Sequence, residues 1–372
     1  MSDQRLRIAH IAPVATEVPP HKSGSVELMT SLLTEGLVAR GHDVTLFASG
    51  DSVTSARLAP GLPRALWKEA PLQDPLAPLF RMHAEVFRRA GEFDLIHTHT
   101  DWFALPFARQ SPAPVVTTLH GRLDLPQVPE VLRSFPEVHF VSISRSQQSQ
   151  VPDANWAATV HHGIALDDYP FDAAGGDGLV FLGRLSPEKA PHAAIDIALE
   201  AGVPLTLAGR IPDEERDYFE REVRPRLDHR LVRFVDEVGD AEKRELLRHA
   251  RALLFPIDWP EPFGLVMVEA MACGTPVIAR PHGAAPEVVE NGVSGILADS
   301  DKALVDAVRA VRGIDRAACR RYAEANFSIA AMTSRYEALY RRIAGNVAGK
   351  PKGDRHESSR SDDSRRARRE SR

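Results

Sequence analysis

The stretch E-P-F-G-L-V-M-V-E-A-M-A-C-G-T-P, from Glu261 to Pro276, joins a strand-like run to a helix and carries two acids. Glu261 lies in a proline-flanked loop, Gly264 opens the helix, and Glu269 lies five residues inside it. A helix start presents unpaired backbone N–H groups and a positive dipole end, and both suit a phosphate. The flanking carboxylates would bind hydroxyl groups instead. A nucleotide sugar has this order of groups, with a diphosphate between the hydroxyls of a ribose and those of a sugar. The alternative is that both acids are ordinary surface residues.

Short β-branched runs alternate with helical patterns along the whole chain, which indicates parallel sheets covered by helices. The 372 residues exceed the usual size of one hydrophobic core, so we predict an α/β fold with two doubly wound, Rossmann-like domains. A stretch rich in Gly, Pro and Asp near 168–178 would link them. We therefore place the N-terminal domain at 1–170 and the C-terminal domain at 171–327.

Apolar periodicity and end signals also predict individual helices. Leucines at helical spacing predict a first helix over about 26–40, with Ser25 as its N-cap. In the second half we expect helices near 191–201, 215–227, 241–250 and 265–273, and a last one near 330–343. Residues 346–372 are basic and lack apolar periodicity, so we expect a disordered tail.

The composition limits the classes of function. The tail 349–372 carries a net charge of +4, which leaves −9 for the rest of the chain because the total is −5. An acidic body argues against nucleic acid as a partner, although the basic tail leaves a weak peripheral membrane contact open. The two cysteines, Cys273 and Cys319, have no paired spacing, so a disulfide framework or zinc–cysteine site is not indicated. With no signal peptide or membrane span evident, we expect a cytoplasmic protein.

A second phosphate-binding candidate is the loop Gly183-Arg184-Leu185-Ser186-Pro187-Glu188-Lys189, which follows the first strand of the second half. Arg184 and Lys189 can both reach from this loop toward the mouth of the sheet. Two fixed cations would match a diphosphate and stabilise it as a leaving group. Taken alone, the loop could equally carry two solvated cations.

Polar residues also follow the strands of the first half. His97, His99 and Asp101 end one strand, and His120 with its neighbouring glycine ends the next. We expect no metal site, because His97 and His99 alternate along a strand and would face opposite sides of the sheet. His120 is the better candidate for a hydrogen bond to substrate.

Two further strings bear on the class of enzyme. Asp299-Ser300-Asp301 resembles the acid pair of metal-dependent sugar transferases, but it precedes a helix and is better explained as an N-cap. Neither a G-x-G-x-x-G fingerprint nor a Walker loop follows the first strand, which disfavours a nicotinamide or P-loop enzyme.

These motifs resemble family 4 of the retaining glycosyltransferases, which have the two-domain GT-B architecture with a cleft between the domains. The resemblance extends to about Ile343 and rests on the glycine loop with Glu27, V-V-T-T-L-H-G, V-S-I-S-R-S, G-R-L-S-P-E-K, the two spaced glutamates and G-A-A-P-E-V-V. It implies that the final segment, 328–345, packs back on the N-terminal domain.

The resemblance also implies a role for each site residue. Glu261 would hold donor-sugar hydroxyls, Glu269 the ribose, and His120 the transferred sugar. Arg184 and Lys189 would clamp the diphosphate. The remaining donor-binding residues would act mainly through their backbone: Gly24, Gly183, Val238, Phe263, Gly264 and Leu265.

The implied reaction transfers a hexose-type sugar from a UDP- or GDP-sugar to a small-molecule, glycan or lipid acceptor with retention of configuration, and it needs neither a metal nor another cofactor. Two positions depart from the family pattern. Ser25 replaces a second glycine, and His162 replaces an asparagine before the linker. Two other hypotheses stay open: a nucleotide-sugar epimerase or phosphorylase on the same fold, and a non-catalytic sugar-nucleotide binder.

Overall fold

The structure is a computed structural model and describes residues 5–21, 24–68, 74 and 76–348. The protein consists of two parallel β-sheets covered by helices. The N-terminal sheet has the strand order β3-β2-β1-β4-β5-β6-β7 and the C-terminal sheet the order β10-β9-β8-β11-β12-β13. Both orders reverse direction at their first strand, so both domains are doubly wound, as the alternating sequence pattern predicted. The strands are β1 Arg7–Ile11, β2 Asp43–Ser49, β3 Arg57–Leu62, β4 Leu95–Thr98, β5 Val115–Thr118, β6 His139–Ser142, β7 Trp156–Thr159, β8 Leu179–Leu182, β9 Leu205–Ala208, β10 Val232–Val235, β11 Ala252–Phe255, β12 Val277–Ala279 and β13 Gly295–Leu297.

All described strand pairs are parallel, and the central strands of both sheets are fully buried. Ile8 of β1 pairs with Val44 on one side and Leu95 on the other. Strands buried on both faces favour continuous apolar runs over alternation, which explains why A-L-L-F in β11 carries no polar residue.

Helices cover both faces of each sheet. They are α1 Ser25–Ala39, α2 Leu76–Arg88, α3 Leu105–Ala108, α4 Val128–Arg133, α5 Arg145–Ser149, α6 Pro191–Ala201, α7 Arg216–Tyr218, α8 Asp240–His249, α9 Leu265–Ala272, α10 Ala285–Val288, α11 Asp301–Ala310, α12 Arg316–Phe327 and α13 Ile329–Ala348. Most predicted helices are confirmed within one or two residues at each end.

Two helix predictions were wrong in detail. The N-cap of α1 is Gly24, and Ser25 is already the first helical residue. The helix predicted over 215–227 is broken, because α7 passes into a π-helical turn at Phe219–Val223 and then a 3₁₀ turn at Arg224–Arg226. Pro225 has no N–H to donate, and its ring excludes a regular α-helical carbonyl one turn earlier.

The last helix, α13, returns to the N-terminal domain. The Tyr336 hydroxyl lies 2.9 Å from Thr118 Oγ1 at the end of β5, and Arg40 pairs with Glu337 at 2.7 Å. The helix extends to Ala348, so 346–348 are helical, and the rest of the predicted tail lies outside the described residues. No helix in the described part of the chain is long and apolar enough to cross a membrane.

The two domains contact each other directly. One hydrophobic cluster combines Met29 and Ile143 of the N-terminal domain with Phe263 of the C-terminal domain. Glu287, at the start of α10, accepts hydrogen bonds from the backbone N–H groups of Arg145 at 2.8 Å and Ser146 at 2.7 Å. These two donors lie at the N-terminus of α5, so the carboxylate caps a helix of the opposite domain.

Candidate active site

The site forms where α9 begins. Gly264 precedes the helix with φ 81°, in the left-handed region, and an added Cβ would lie 2.6 Å from Met267 Cε. The positive φ favours glycine at this turn. The turn lets Glu261 and Glu269 lie on either side of the helix start, and each is only 7% exposed.

The backbone of Glu261 packs closely against a second glycine. Gly283, at φ 60°, lies so close that an added Cβ would come within 2.2 Å of the Glu261 nitrogen. The backbone N–H of Ala284 donates to the Glu261 carbonyl at 2.8 Å. The G-A-A-P-E segment thus supports the backbone of the acid, a function that its sequence alone did not reveal.

The carboxylate of Glu261 is paired with a cation and with an indole N–H. Its Oε2 accepts from the Lys189 ammonium and from Trp259 Nε1 at 3.0 Å. The Lys189 ammonium also lies 5.1 Å from the centre of the Trp259 ring. Of the two cations in the G-R-L-S-P-E-K loop, Lys189 is the one that contacts Glu261. It lies between this acid and the face of an aromatic ring.

A cavity of about 310 Å³ opens at the carboxyl ends of β8, β9 and β10, and Glu261, Lys189 and Trp259 lie outside its lining. Its lining combines residues that follow each of these strands with one residue of α8 and two of α9: Gly183, Arg184, Gly209, Arg210, Glu237, Val238, Lys243, Val266 and Glu269. Gly209 allows two of the loops to approach, because an added Cβ there would lie 1.8 Å from the Gly183 carbonyl oxygen. Ligands of open parallel sheets bind at this edge.

Glu269 lines the cavity and is fixed by two donors. The Lys243 ammonium bonds its Oε1 at 2.8 Å, and the Tyr169 hydroxyl donates to the same oxygen at 3.0 Å. Burial alone would lower the pKa of Lys243, but the charges and hydrogen bonds of Glu269 and Asp240 together raise it. Glu269 thus remains a well-oriented hydrogen-bond acceptor at the cavity wall.

Arg184 differs from Lys189 in its surroundings. Its guanidinium bonds Glu188 at 3.0 Å, and half of its side chain is exposed at the cavity mouth. The structure therefore brings both predicted cations to the same edge, with Arg184 in the mouth of the cavity and Lys189 beside Glu261.

His120 lies just beyond the end of β5. Its Nε2 is 2.9 Å from His99 Nδ1, and its ring stacks on His162 with centroids 5.2 Å apart. Burial lowers the pKa of His120 to about 3, so the imidazole is neutral at pH 7. The edge of His162 in turn contacts Phe263, at 4.9 Å between centroids. This stack joins His120 to the E-P-F-G loop across the domain junction.

The expectation that His97 and His99 face opposite sides of the sheet was wrong. Their ring centroids are 4.1 Å apart, and both rings are buried beside His10 of β1. β4 ends at Thr98, so His99 lies outside the strand and its side chain no longer follows the pleat. Asp101 does not belong to this cluster.

The structure also places Gly24 and the Asp299-Ser300-Asp301 string, each at the start of a helix. Gly24 adopts φ 152° before α1, where an added Cβ would meet Pro20 at 2.9 Å; its neighbour Ser23 lies outside the described residues. In Asp299-Ser300-Asp301, the Ser300 side chain caps α11 by accepting from Ala303 N. Phe263 is buried, and Leu265 is the first residue of α9.

Sequence reasoning missed Tyr169, Lys243 and Trp259, because each reaches the site from an element without a recognisable motif. Tyr169 belongs to the segment we interpreted as the linker, and Lys243 to the polar helix α8. Trp259 could have been recognised, since it stands two residues before Glu261 in the same proline-flanked loop.

Two parallel, helix-covered sheets in contacting domains, with a cavity at the strand ends of the second, have the GT-B architecture. The chain superimposes on a glycosyltransferase of avilamycin A biosynthesis with a TM-score of 0.69 and 25% identity, covering 92% of this chain and 98% of that one. It also superimposes on Anabaena HepE in complex with UDP-glucose, with a TM-score of 0.67, covering 92% and 100%. At 20% identity, the second likeness shows the fold alone.

The sequence pattern of Glycosyltransferase Family 4 matches residues 26–161, and that of Glycosyl transferases group 1 matches residues 175–326. Together they cover more than three quarters of the chain, which belongs to the group 1 glycosyltransferases. Among curated relatives, the glycogen synthase of Mycobacterium tuberculosis is 29% identical over 367 residues, spanning 84% of this chain and 88% of that protein. A phosphatidyl-myo-inositol mannosyltransferase of Mycolicibacterium smegmatis is 26% identical, spanning 80% and 82%.

Proposed function

We propose that this glycosyltransferase moves a hexose-type sugar from a UDP- or GDP-sugar to an acceptor with retention of anomeric configuration. The observation that carries the proposal is the pairing of Lys189 with Glu261 at the start of α9, next to the cavity that Glu269 lines. Glu269 in the cavity wall offers an acceptor for ribose hydroxyls, and Glu261, outside the cavity lining, offers an acceptor for sugar hydroxyls. Between them lie cations and helix N–H groups suited to a diphosphate.

The diphosphate is the leaving group, and its developing charge needs stabilisation. Arg184 and Lys189 supply two positive charges, and the N–H groups after Gly264 supply a dipole end. We propose that these groups replace a divalent metal at the diphosphate and that no other cofactor takes part. The only D-x-D string in the sequence is Asp299-Ser300-Asp301, where Ser300 caps α11.

His120 is assigned the reacting face of the transferred sugar. A neutral imidazole with one nitrogen bonded to His99 has its other nitrogen available, and His120 Nδ1 has no hydrogen-bond partner among the described residues. The acceptor would approach over this residue from the N-terminal domain and pass its proton to the departing phosphate. No side chain is assigned as a covalent nucleophile.

The acceptor is proposed to be a small molecule, a glycan or a lipid. The Anabaena structural neighbour binds UDP-glucose, and two relatives carry the names glycogen synthase and phosphatidyl-myo-inositol mannosyltransferase. These names support a hexosyl donor and both glycan and lipid acceptors. Both cysteines are buried free thiols, which supports a reducing, cytoplasmic setting.

The test is donor turnover without added Mg²⁺ or Mn²⁺. UDP- and GDP-hexoses are incubated with candidate acceptors, and both nucleoside diphosphate release and product configuration are followed by NMR. We expect acceptor-dependent release and an α-linked product from an α-linked donor. Conversion of the donor sugar without release would show an epimerase, release only with inorganic phosphate would show a phosphorylase, and binding without turnover would show a non-catalytic binder.

A further inference from the structure

Three buried histidines meet under the active site on the N-terminal sheet. His10 belongs to β1, His97 to β4, and His99 follows β4; none is more than 3% exposed. One ring nitrogen of each lies within 4.8 Å of one ring nitrogen of each of the others. The Tyr340 hydroxyl of α13 joins them, at 2.6 Å from His97 Nδ1 and 3.4 Å from His10 Nε2.

The second nitrogen of each ring is occupied outside this centre. His10 Nδ1 lies 2.9 Å from Thr34 Oγ1, and His97 Nε2 lies 2.7 Å from Thr118 Oγ1. His99 Nδ1 lies 2.9 Å from His120 Nε2. Histidines that bind a metal through one nitrogen are typically held through the other in this way.

Hydrogen bonds alone leave the centre incomplete. The Tyr340 hydroxyl has a single proton, and His97 Nδ1 is the closer of its two neighbours. His99 Nε2 is buried and has no partner among the described residues. A buried ring nitrogen without a hydrogen-bond partner destabilises the folded protein.

We propose that His10 Nε2, His97 Nδ1, His99 Nε2 and the Tyr340 oxygen form a structural zinc site. Three imidazoles and one oxygen suit tetrahedral Zn²⁺, with ligand bonds of about 2.0–2.1 Å and therefore ligand atoms roughly 3.3 Å apart. The ring nitrogens, which lie within 4.8 Å of one another, would move closer together to reach that spacing. Tyr340 would bind as phenolate, and its proton would leave to solvent.

The site has a structural and a positioning consequence. It ties α13, the last helix of the chain, to two strands of the N-terminal sheet. Zinc on His99 Nε2 also places the ring proton on His99 Nδ1, which then donates to His120 Nε2. His120 consequently carries its own proton on Nδ1, the nitrogen without a partner. The zinc lies away from the diphosphate cavity and takes no part in leaving-group departure.

Because the ligands are buried, zinc must enter during folding, so the metal content of freshly purified, untagged full-length protein is the test. Elemental analysis is applied to wild type, His99→Gln, Tyr340→Phe and the control His83→Gln. His83 is also buried and bonded through both nitrogens, to the Leu79 carbonyl and Thr100, but it lies outside the centre. We expect about one zinc per chain in wild type and His83→Gln, and at least a tenfold lower content in His99→Gln.

X-ray absorption at the zinc edge of the wild type keeps the test independent of whether a variant folds. Nitrogen and oxygen neighbours alone, at about 2.0–2.1 Å, are expected. Protein grown with Co²⁺ in place of zinc should show the visible bands of a tetrahedral site. Wild-type protein with no zinc, or with zinc that His99→Gln retains in full, would overturn the proposal and leave a hydrogen-bonded histidine cluster.

Discussion

Replacing Glu261 with Gln separates the two tasks that the structure gives this side chain. The amide keeps a similar shape and can still accept from Trp259 Nε1, but it loses the charge that pairs with Lys189. Losing a charged hydrogen bond to a sugar hydroxyl costs about 1.5–3 kcal/mol. At about 1.4 kcal/mol per factor of ten, kcat/KM for transfer should fall about 10- to 150-fold.

The same substitution should act differently on a nucleoside diphosphate that lacks the sugar. In the wild type, Lys189 is engaged by Glu261 and only 14% of its side chain is exposed. In Glu261→Gln, the ammonium has lost this carboxylate, and a bound diphosphate would supply a new anionic partner. We therefore expect the variant to bind nucleoside diphosphate as tightly as wild type or more tightly, while transfer falls.

Steady-state kinetics with the full donor and calorimetry with the nucleoside diphosphate give the two readouts. Glu245→Gln is the control, because Glu245 lies on α8 with 53% of its side chain exposed and pairs only with other surface groups. The reasoning is refuted if Glu261→Gln transfers sugar at the wild-type rate, or if transfer and nucleoside diphosphate binding fall by the same factor.

Three further substitutions test other parts of the account. Tyr169→Phe removes the hydroxyl donor to Glu269, so nucleotide Kd measured by calorimetry should rise about 2- to 10-fold with a smaller change in kcat; an unchanged Kd would contradict the role of Tyr169. Gly283→Ala places a Cβ 2.2 Å from the Glu261 nitrogen at φ 60°, so it should lower Tm and activity together, whereas Gly313→Ala, with open space at its Cβ, should preserve the activity. Glu337→Gln removes a carboxylate whose pKa is about 2, below the usual 4.5. Burial alone would raise that pKa, but hydrogen bonds from Arg341 and Arg40 lower it overall. The stabilisation is complete above the unfolded pKa and is lost as pH falls from 4.5 toward 2, so the variant should be about 1–3 kcal/mol less stable than wild type in urea at pH 7 and closer to it at pH 3; an equal difference at both pH values would contradict the assignment.

Much of the fold could be predicted from local sequence signals. The strands of the central sheets are short apolar runs, and their alternation with helices left few alternatives to doubly wound parallel sheets. The helix start at Gly264 and the two acids around it were also visible, since Gly and Glu have distinct roles at a helix N-terminus. The broken helix near Pro225 shows the limit of periodicity, because a favourable apolar pattern does not report where the hydrogen-bond pattern changes.

Contacts that depend on the third dimension could not be predicted. Tyr169 and Lys243 reach Glu269 from separate segments, and only the packing of α8 on α9 brings them together. The centre formed by His10, His97 and His99 was missed for a related reason. The period of a strand fixes side-chain direction only up to its last residue, and His99 lies just beyond β4.

The most direct test of the central claim is a crystal structure of the protein with a bound UDP- or GDP-hexose. We expect the diphosphate to lie against the start of α9 within hydrogen-bond distance of Lys189 and Arg184, with the ribose at Glu269 and the hexose between Glu261 and His120. A donor bound elsewhere, or a diphosphate that contacts neither cation, would contradict it.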